Sequence, residues 1–279
     1  MSHLILSIAV DVARLALWLA ILSAIFMPVE HFFALRGRGG ARPNLGQDLA
    51  FYFLNSLLPG LLLGLPMALI ATVAHRLLPQ DYFGWVAGLP LALQLIAAFL
   101  IGEAGFYWGH RLTHASPFLW RFHAVHHAPA HLDWLINTRA HPIDIVFTRL
   151  CGLVPLYALG LAGRHAAEGN LPAVLLVIFG TIWGFFLHAN VRFSLGPIEQ
   201  VIASPRFHHW HHSRLEPLNR NFASMLPLMD RLFGTLHLPQ TDWPRDYGVM
   251  ENPVPPPGAL SHPLGKRMVD ALGLEPRTR

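Results

Sequence analysis

The sequence predicts an all-α integral membrane protein of four or five transmembrane helices, capped on the cytoplasmic side by a helical, histidine-rich region. Three observations predict it. Apolar residues make up 53% of the 279 residues and charged ones only 13%, a balance that would leave a soluble domain with more apolar surface than it can hide. Five apolar windows are long enough, at about 20 residues, to cross a hydrocarbon core of roughly 30 Å. Eighteen histidines are present, and most of them gather where apolar windows run out.

The windows fall near residues 4–27, 49–74, 84–108, 143–163 and 171–189. The first starts almost at Met1 without a basic flank or a small-residue cleavage site, and reads as a retained membrane segment. It carries Asp11 and Arg14, one turn apart and able to pair. The second contains Pro59, Gly60, Gly64 and Pro66, compatible with a kinked spanning helix or a re-entrant hairpin. Arginines collect after the first window (Arg36, Arg38, Arg42), the third (Arg111, Arg121, Arg139) and the fifth (Arg206, Arg214, Arg220). The positive-inside rule places these three regions, and the histidines with them, on the cytoplasmic side. The expected organisation is N-terminal transmembrane helices over 1–97, a histidine-bearing unit over 98–237, and an irregular tail over 238–279, where "ENPVPPPGAL" is proline-rich.

Cys151 is the one cysteine, which excludes a disulfide framework and any site of several thiolates. No basic stripe interleaved with stacking aromatics is present, so nucleic acid is not an expected partner; scattered arginines suit phospholipid head groups better.

The third window ends in "FYWGHRLTH", with His110 and His114 four apart on one helix face. "HAVHH" supplies His123, His126 and His127, and "HHWHH" repeats that spacing in His208, His211 and His212, each triplet expected to converge on one side of a helix. His188 ends the fifth window in "FFLHAN". A single histidine is ordinarily a surface or satisfied core residue, the reading taken for His3, His75, His165, His237 and His262; a metal-sticky tract would lack strict spacing. Nine imidazoles without cysteine suit zinc, copper or iron and suffice for two ions with positions left open. Open positions at a membrane surface point to catalysis on a lipid, and oxidation of unactivated carbon by dioxygen requires a redox metal, which zinc is not.

"HRLTH", "HAVHH" and "HHWHH", with "NTRAHPID" between and "MDRLFGT" after, resemble the fatty acid hydroxylase and sterol desaturase superfamily over about residues 98–236. The resemblance implies a membrane diiron oxygenase whose ligands are His110, His114, His123, His126, His127, His188, His208, His211 and His212. His141 matches a further family position, as ligand, supporting residue or plain structure. Asn190, Asn221 and Asp230 are candidates to accept the second N–H of ligating imidazoles. Arg192 stands where membrane fatty acid 2-hydroxylases of this superfamily carry a further histidine. "HPID" and "HPLG" replace the "HPGG" of relatives with a fused cytochrome b5, so no fused haem module is expected.

The expected activity is oxygen-dependent hydroxylation or desaturation of a membrane lipid, be it a sterol, fatty acyl chain, sphingoid base or carotenoid-like molecule. Two iron ions bind dioxygen, and two electrons from a separate ferredoxin, or a cytochrome with its reductase, reduce it. Hydrogen is then taken from a C–H bond; return of hydroxyl yields an alcohol, loss of a second hydrogen an alkene. One rival reading is a zinc or copper transporter or sensor, which calls for charges along the membrane segments beyond Asp11, Arg14, Glu103, Asp144 and Arg149. Another is a haem cytochrome, which calls for isolated histidines facing each other within the bilayer.

Overall fold

A computed structural model describes residues 2–37, 42, 44–162, 171–215, 217–239 and 242–249, with backbone alone for 2–5. It contains nine α-helices among these residues: α1 (Ser2–Phe32), α2 (Leu45–Leu77), α3 (Gln80–Ala87), α4 (Leu91–Ala115), α5 (Pro117–His127), α6 (Pro142–Ala158), α7 (Leu171–His188), α8 (Pro205–His211) and α9 (Leu228–Leu232). Short 3-10 turns occupy Trp134–Thr138 and Gly196–Gln200, and no strand longer than an isolated bridge is present among the described residues. The expected tail is described only through 249, where it lies along the cap; 240, 241 and 250–279 are outside the described residues.

Four helices are long and apolar enough to cross a membrane: Leu6–Phe32, Leu45–Leu77, Leu91–Ala115 and Leu171–His188. Large apolar side chains such as Leu17, Leu61 and Leu65 stand 63%, 78% and 69% exposed on their outer faces, the surface a hydrocarbon core would cover. The fourth window is the shorter α6, 17 residues, which descends from the histidine end beside α2 and α4. The second window is one continuous 33-residue helix with Pro59 and Pro66 inside it, so the re-entrant hairpin is not formed. The third window shifts: Gly88 and Pro90 separate α3 from α4, because proline supplies no N–H to continue a helix and disfavours helical geometry before it.

That shift positions the site. Twenty-five residues of α4 extend about 37 Å, longer than a core of roughly 30 Å by little more than one turn, so the end that carries His114 reaches past the apolar layer and His110 sits at its edge. Glycines let α6 approach closely: a Cβ on Gly105 would lie 2.2 Å from the carbonyl oxygen of Cys151, a backbone atom that cannot yield. Gly105→Leu is therefore expected to break the α4–α6 contact, a loss of about 3 kcal/mol or more, read as aggregation or a lowered thermal midpoint in detergent. A midpoint equal to wild type would refute the close crossing.

The cap is tied to the spans by buried charge. Arg42 bridges Asp48 at 3.0 Å and Asp133 at 2.7 Å, and Arg139 reaches Asp48 at 2.8 Å. Glu30, near the end of α1, accepts the backbone N–H of Trp134 at 2.8 Å and of Asn190 at 2.9 Å. Two further arginines read from sequence as part of the charged loops are internal as well. Arg111 donates to the Tyr107 hydroxyl at 2.9 Å and the Phe233 carbonyl at 3.3 Å, and Arg206 pairs with Glu199. Arg38 is outside the described residues.

Candidate metal centre

Each cap helix that carries histidines or their partners starts the same way. Ser116-Pro117, His141-Pro142 and Ser204-Pro205 begin α5, α6 and α8, with the first residue's side chain accepting a backbone N–H of the first turn and proline at the position that needs no donor. His141 is thus the N-cap of α6, its Nδ1 accepting from Ile143 N at 3.2 Å. It belongs to neither histidine group.

The nine other histidines singled out in the sequence are all buried and form two groups, His110, His114, His123, His127 and His211 in one, His126, His188, His208 and His212 in the other. Within each group the nitrogens offered lie within 4.8 Å of one another. The triplets do not converge as units. The i, i+4 pairs 110/114, 123/127 and 208/212 stay together, whereas His126 and His211 enter the opposite group from their neighbours. Adjacent helical residues point about 100° apart, so one helix feeds both groups.

The direction of each ring follows from its second nitrogen. His110 Nδ1 faces the Phe222 carbonyl at 2.8 Å, His126 the Arg139 carbonyl at 3.0 Å, His188 the Gly184 carbonyl at 2.7 Å and His211 the Arg220 carbonyl at 2.9 Å. His114 Nδ1 faces Asn219 Oδ1 at 2.9 Å, and His123 Nδ1 sits 3.0 Å from both oxygens of Asp144. Oxygens of these kinds only accept, so Nδ1 carries the proton and Nε2 is left with a bare lone pair. Those lone pairs face one another: His110 and His123 Nε2 are 3.2 Å apart, as are His126 and His188, while Nε2 of His114 and His211 is buried without a partner. Neutral imidazoles gain nothing from such contacts. Two nitrogens each about 2.1 Å from one ion lie about 3.0–3.4 Å apart, so the donor set fits a cation in each group, with carbonyls and a carboxylate holding the ligands from behind.

His209, in the middle of "HHWHH", has the opposite arrangement: Nε2 donates to the Ala189 carbonyl at 3.1 Å and Nδ1 accepts from the Tyr247 hydroxyl at 2.8 Å. It has no lone pair to offer and instead fastens residues 242–249 to the cap.

Burial first, then the charge that neighbouring imidazoles would carry, holds His127, His208, His211 and His212 well below the ordinary histidine range. They are neutral at pH 7, as ligands must be. Unfolded imidazoles take up protons below about pH 6.5 while these do not, so stability is present above that pH and is lost as pH falls. Metal-free protein is expected to melt at a lower temperature at pH 5.0 than at pH 7.5, measured in one detergent; an equal or higher midpoint at pH 5.0 would contradict the buried, neutral cluster.

The candidate supporting residues act one step further out. Asn190 exchanges hydrogen bonds with the backbone of Arg36, at 3.1 and 2.8 Å. Asn221 donates to the Phe207 and His237 carbonyls and accepts from His237 N. Asp230 accepts from Phe222 N and Ala223 N at 2.8 Å and from the Thr235 hydroxyl at 2.6 Å. None of the three accepts an imidazole N–H. Asn221 and Asp230 act on the loop 219–226, whose Asn219, Arg220 and Phe222 hold His114, His211 and His110, whereas Asn190 ties the end of α7 to the segment after α1. Glu103 grips the same loop, accepting from Met225 N and Leu226 N at 2.8 and 2.9 Å and from the Ser224 hydroxyl. Asn219 and Asn221 adopt left-handed backbone, with φ 54° and 60°, a conformation asparagine tolerates better than most. Asp144 and Asn219 were not anticipated as histidine partners; the signal for Asp144 was a lone carboxylate in the first turn after "HP".

A cavity of about 510 Å³ runs from the histidines into the spans. His110, His123, His126, His188 and His208 close one end; Leu15, Trp18 and Leu22 of α1 and Leu176 and Ile178 of α7 line the other. Trp18 and Ile178 are also 53% and 51% exposed on the outer surface, so the cavity reaches the lipid-facing side between α1 and α7.

Fold and site together define an all-helical integral membrane protein with a two-group histidine metal centre at the head of an apolar cavity. The chain belongs to the fatty acid hydroxylase family, whose sequence model matches residues 95–235. It is 39% identical over 187 residues to ornithine lipid hydroxylase OlsE of Rhizobium tropici, covering 66% of this chain and 54% of that protein. It is 30% identical over 154 residues to alkylglycerol monooxygenase of Danio rerio (52% of this chain, 30% of that one). With methylsterol monooxygenase 2-2 of Arabidopsis thaliana it shares 31% over 147 residues (52% and 53%). The chain thus spans about half the length of these relatives, or less. No solved structure matches it.

Proposed function

We propose that the protein is an oxygen-dependent oxidoreductase that hydroxylates or desaturates a C–H bond of a membrane lipid, with two iron ions held by the nine histidines. The observation that carries this reading is the pairing of two groups of inward-facing Nε2 lone pairs with an apolar cavity from the spans. The ornithine lipid, alkylglycerol and methylsterol named in its relatives' titles are all lipids, which supports a lipid substrate.

In this reading His110, His114, His123, His127 and His211 hold one ion, and His126, His188, His208 and His212 the other. Bound iron would supply the redox change that lets dioxygen and two external electrons oxidise an unactivated C–H bond. The chain's own part is to keep the imidazoles neutral and aimed, to admit the substrate laterally between α1 and α7, and to exclude bulk water with the buried cap. No protein acid or base is required at the reacting carbon. We place the cap in the cytoplasm, since Arg121, Arg192, Arg214 and Arg245 are exposed on it. The electron donor is then a separate, acidic carrier such as a ferredoxin or cytochrome. Along the spans, Asp11 and Arg14 sit on the exposed face 3.5 Å apart, and Glu103 and Asp144 are committed to the 224–226 loop and to His123, which speaks against a charged ion path among the described residues.

Elemental analysis of detergent-purified protein, followed by supply of reductant, dioxygen and a membrane lipid extract, tests the reading. About two irons per chain and a lipid product that has gained one oxygen atom or lost two hydrogens is expected. Zinc alone, with failed iron reconstitution and no product, would overturn it in favour of metal sensing or transport.

A further inference from the structure

Three charged residues line the cavity, and two are spoken for: Glu103 holds the 224–226 loop and Asp144 holds His123. Arg149 lines the cavity from α6, partly buried, and makes no hydrogen bond or ion pair among the described residues. Every other arginine that enters the buried parts of the cap has an answering group, as Arg139 has Asp48 and Arg206 has Glu199. An unanswered guanidinium beside an apolar cavity is costly unless a ligand meets it.

Its position is set by the helix. Ile145, Thr148, Arg149 and Gly152 all line the cavity, at the i, i+3, i+4, i+7 spacing of one helical face. Thr148 packs against α4 at Gly109, where an added Cβ would lie 3.8 Å from its Cα, so Arg149 lies level with the turn of α4 that carries His110. One turn above, Asp144 holds His123. The guanidinium therefore belongs to the histidine half of the cavity, and the apolar lining of α1 and α7 forms the other half. A second unused group lies in the same space: Asn55 lines the cavity and spends its amide N–H groups on the Thr138 and Ala140 carbonyls at 2.9 and 2.8 Å, and its Oδ1 is buried without a partner.

We infer that Arg149 binds the anionic group, a carboxylate or a phosphate, of an amphiphilic substrate that lies with its head beside the histidines and its chain between α1 and α7. Guanidinium offers paired N–H donors to either oxyanion, and Asn55 Oδ1 is left to accept an N–H or O–H carried nearby on the same head group. This rests on the proposed lipid oxidation for its meaning, but binding can be measured without turnover. In that orientation the carbon presented to the centre is close to the head group, not at the far end of the chain.

The test is equilibrium binding of radiolabelled palmitate, hexadecyl phosphate and hexadecanol to the full chain in a neutral maltoside detergent. Wild-type protein is expected to hold at least one of the two anions about tenfold or more tighter than hexadecanol, a difference of about 1.4 kcal/mol. Which anion is preferred separates a carboxylate from a phosphate source. Arg149→Met should remove the preference and leave hexadecanol binding unchanged, while Arg149→Lys should retain part of it. Equal binding of all three ligands to wild type, a comparison that needs no variant, would overturn the inference, as would an undiminished preference in folded Arg149→Met. Loss of iron or of oxidation with the preference intact would count against the oxidoreductase reading and leave the head-group site standing.

Discussion

His211→Ala and His126→Ala are each expected to reduce lipid oxidation by about 100-fold or more, a barrier increase of about 2.7 kcal/mol or more, and to lower bound iron from about two ions per chain toward one. The two histidines belong to different groups, so each variant empties a different position while the remaining group keeps its ligands. His209→Ala provides the control from within the same motif. Its ring nitrogens are spent on Ala189 and Tyr247, so iron content should stay at the wild-type level while the 242–249 segment becomes sensitive to protease. Full turnover with either ligand variant, or equal metal loss in His209→Ala and His211→Ala, would sink the assignment.

Asp230→Ala is expected to have the largest effect of any substitution that touches no imidazole. It removes three hydrogen bonds at once and leaves the Phe222 and Ala223 N–H groups buried without acceptors, at about 1–3 kcal/mol each. Those N–H groups belong to the loop whose carbonyls orient His110 and His211, so ion affinity in the five-histidine group should fall about 10–100-fold. Asp230→Asn keeps one acceptor oxygen and should fall between. Metal titration and thermal denaturation of the detergent-solubilised variants measure both effects. Wild-type metal affinity in Asp230→Ala would show that the loop holds its shape without the carboxylate, and would remove Asp230 from the support of the site.

Much of the fold was legible because membrane helices announce themselves by composition. The windows ending near 27, 74 and 189 correspond to α1, α2 and α7 without ambiguity of type, since roughly 20 apolar residues have few other fates. The third was misplaced by about seven residues because its apolar character runs through Gly88 and Pro90, and only backbone geometry shows that the helix restarts there. The fourth read as long as a span, yet α6 ends at Ala158. Charge was less legible than apolarity. Arg111 and Arg206 look in sequence like loop arginines facing phospholipid, and both are buried against partners, Phe233 and Tyr107 for one, Glu199 for the other, that are distant or unremarkable in the chain.

The site divides in the same way. Helical spacing, the absence of other cysteines and the placement of each cluster at the end of an apolar segment were enough to single out nine histidines, and all nine lie in the two groups. How they are shared, and what stands behind them, depends on packing. His126 and His127 are neighbours in the chain and belong to different groups, as do His211 and His212, because a helix turns about 100° per residue and each group is completed from other helices. Likewise the acceptors are largely backbone carbonyls of Arg139, Gly184, Arg220 and Phe222, atoms that every residue possesses. No choice of amino acid marks them, and they become specific only when packing brings a particular carbonyl to within hydrogen-bonding distance of a particular ring.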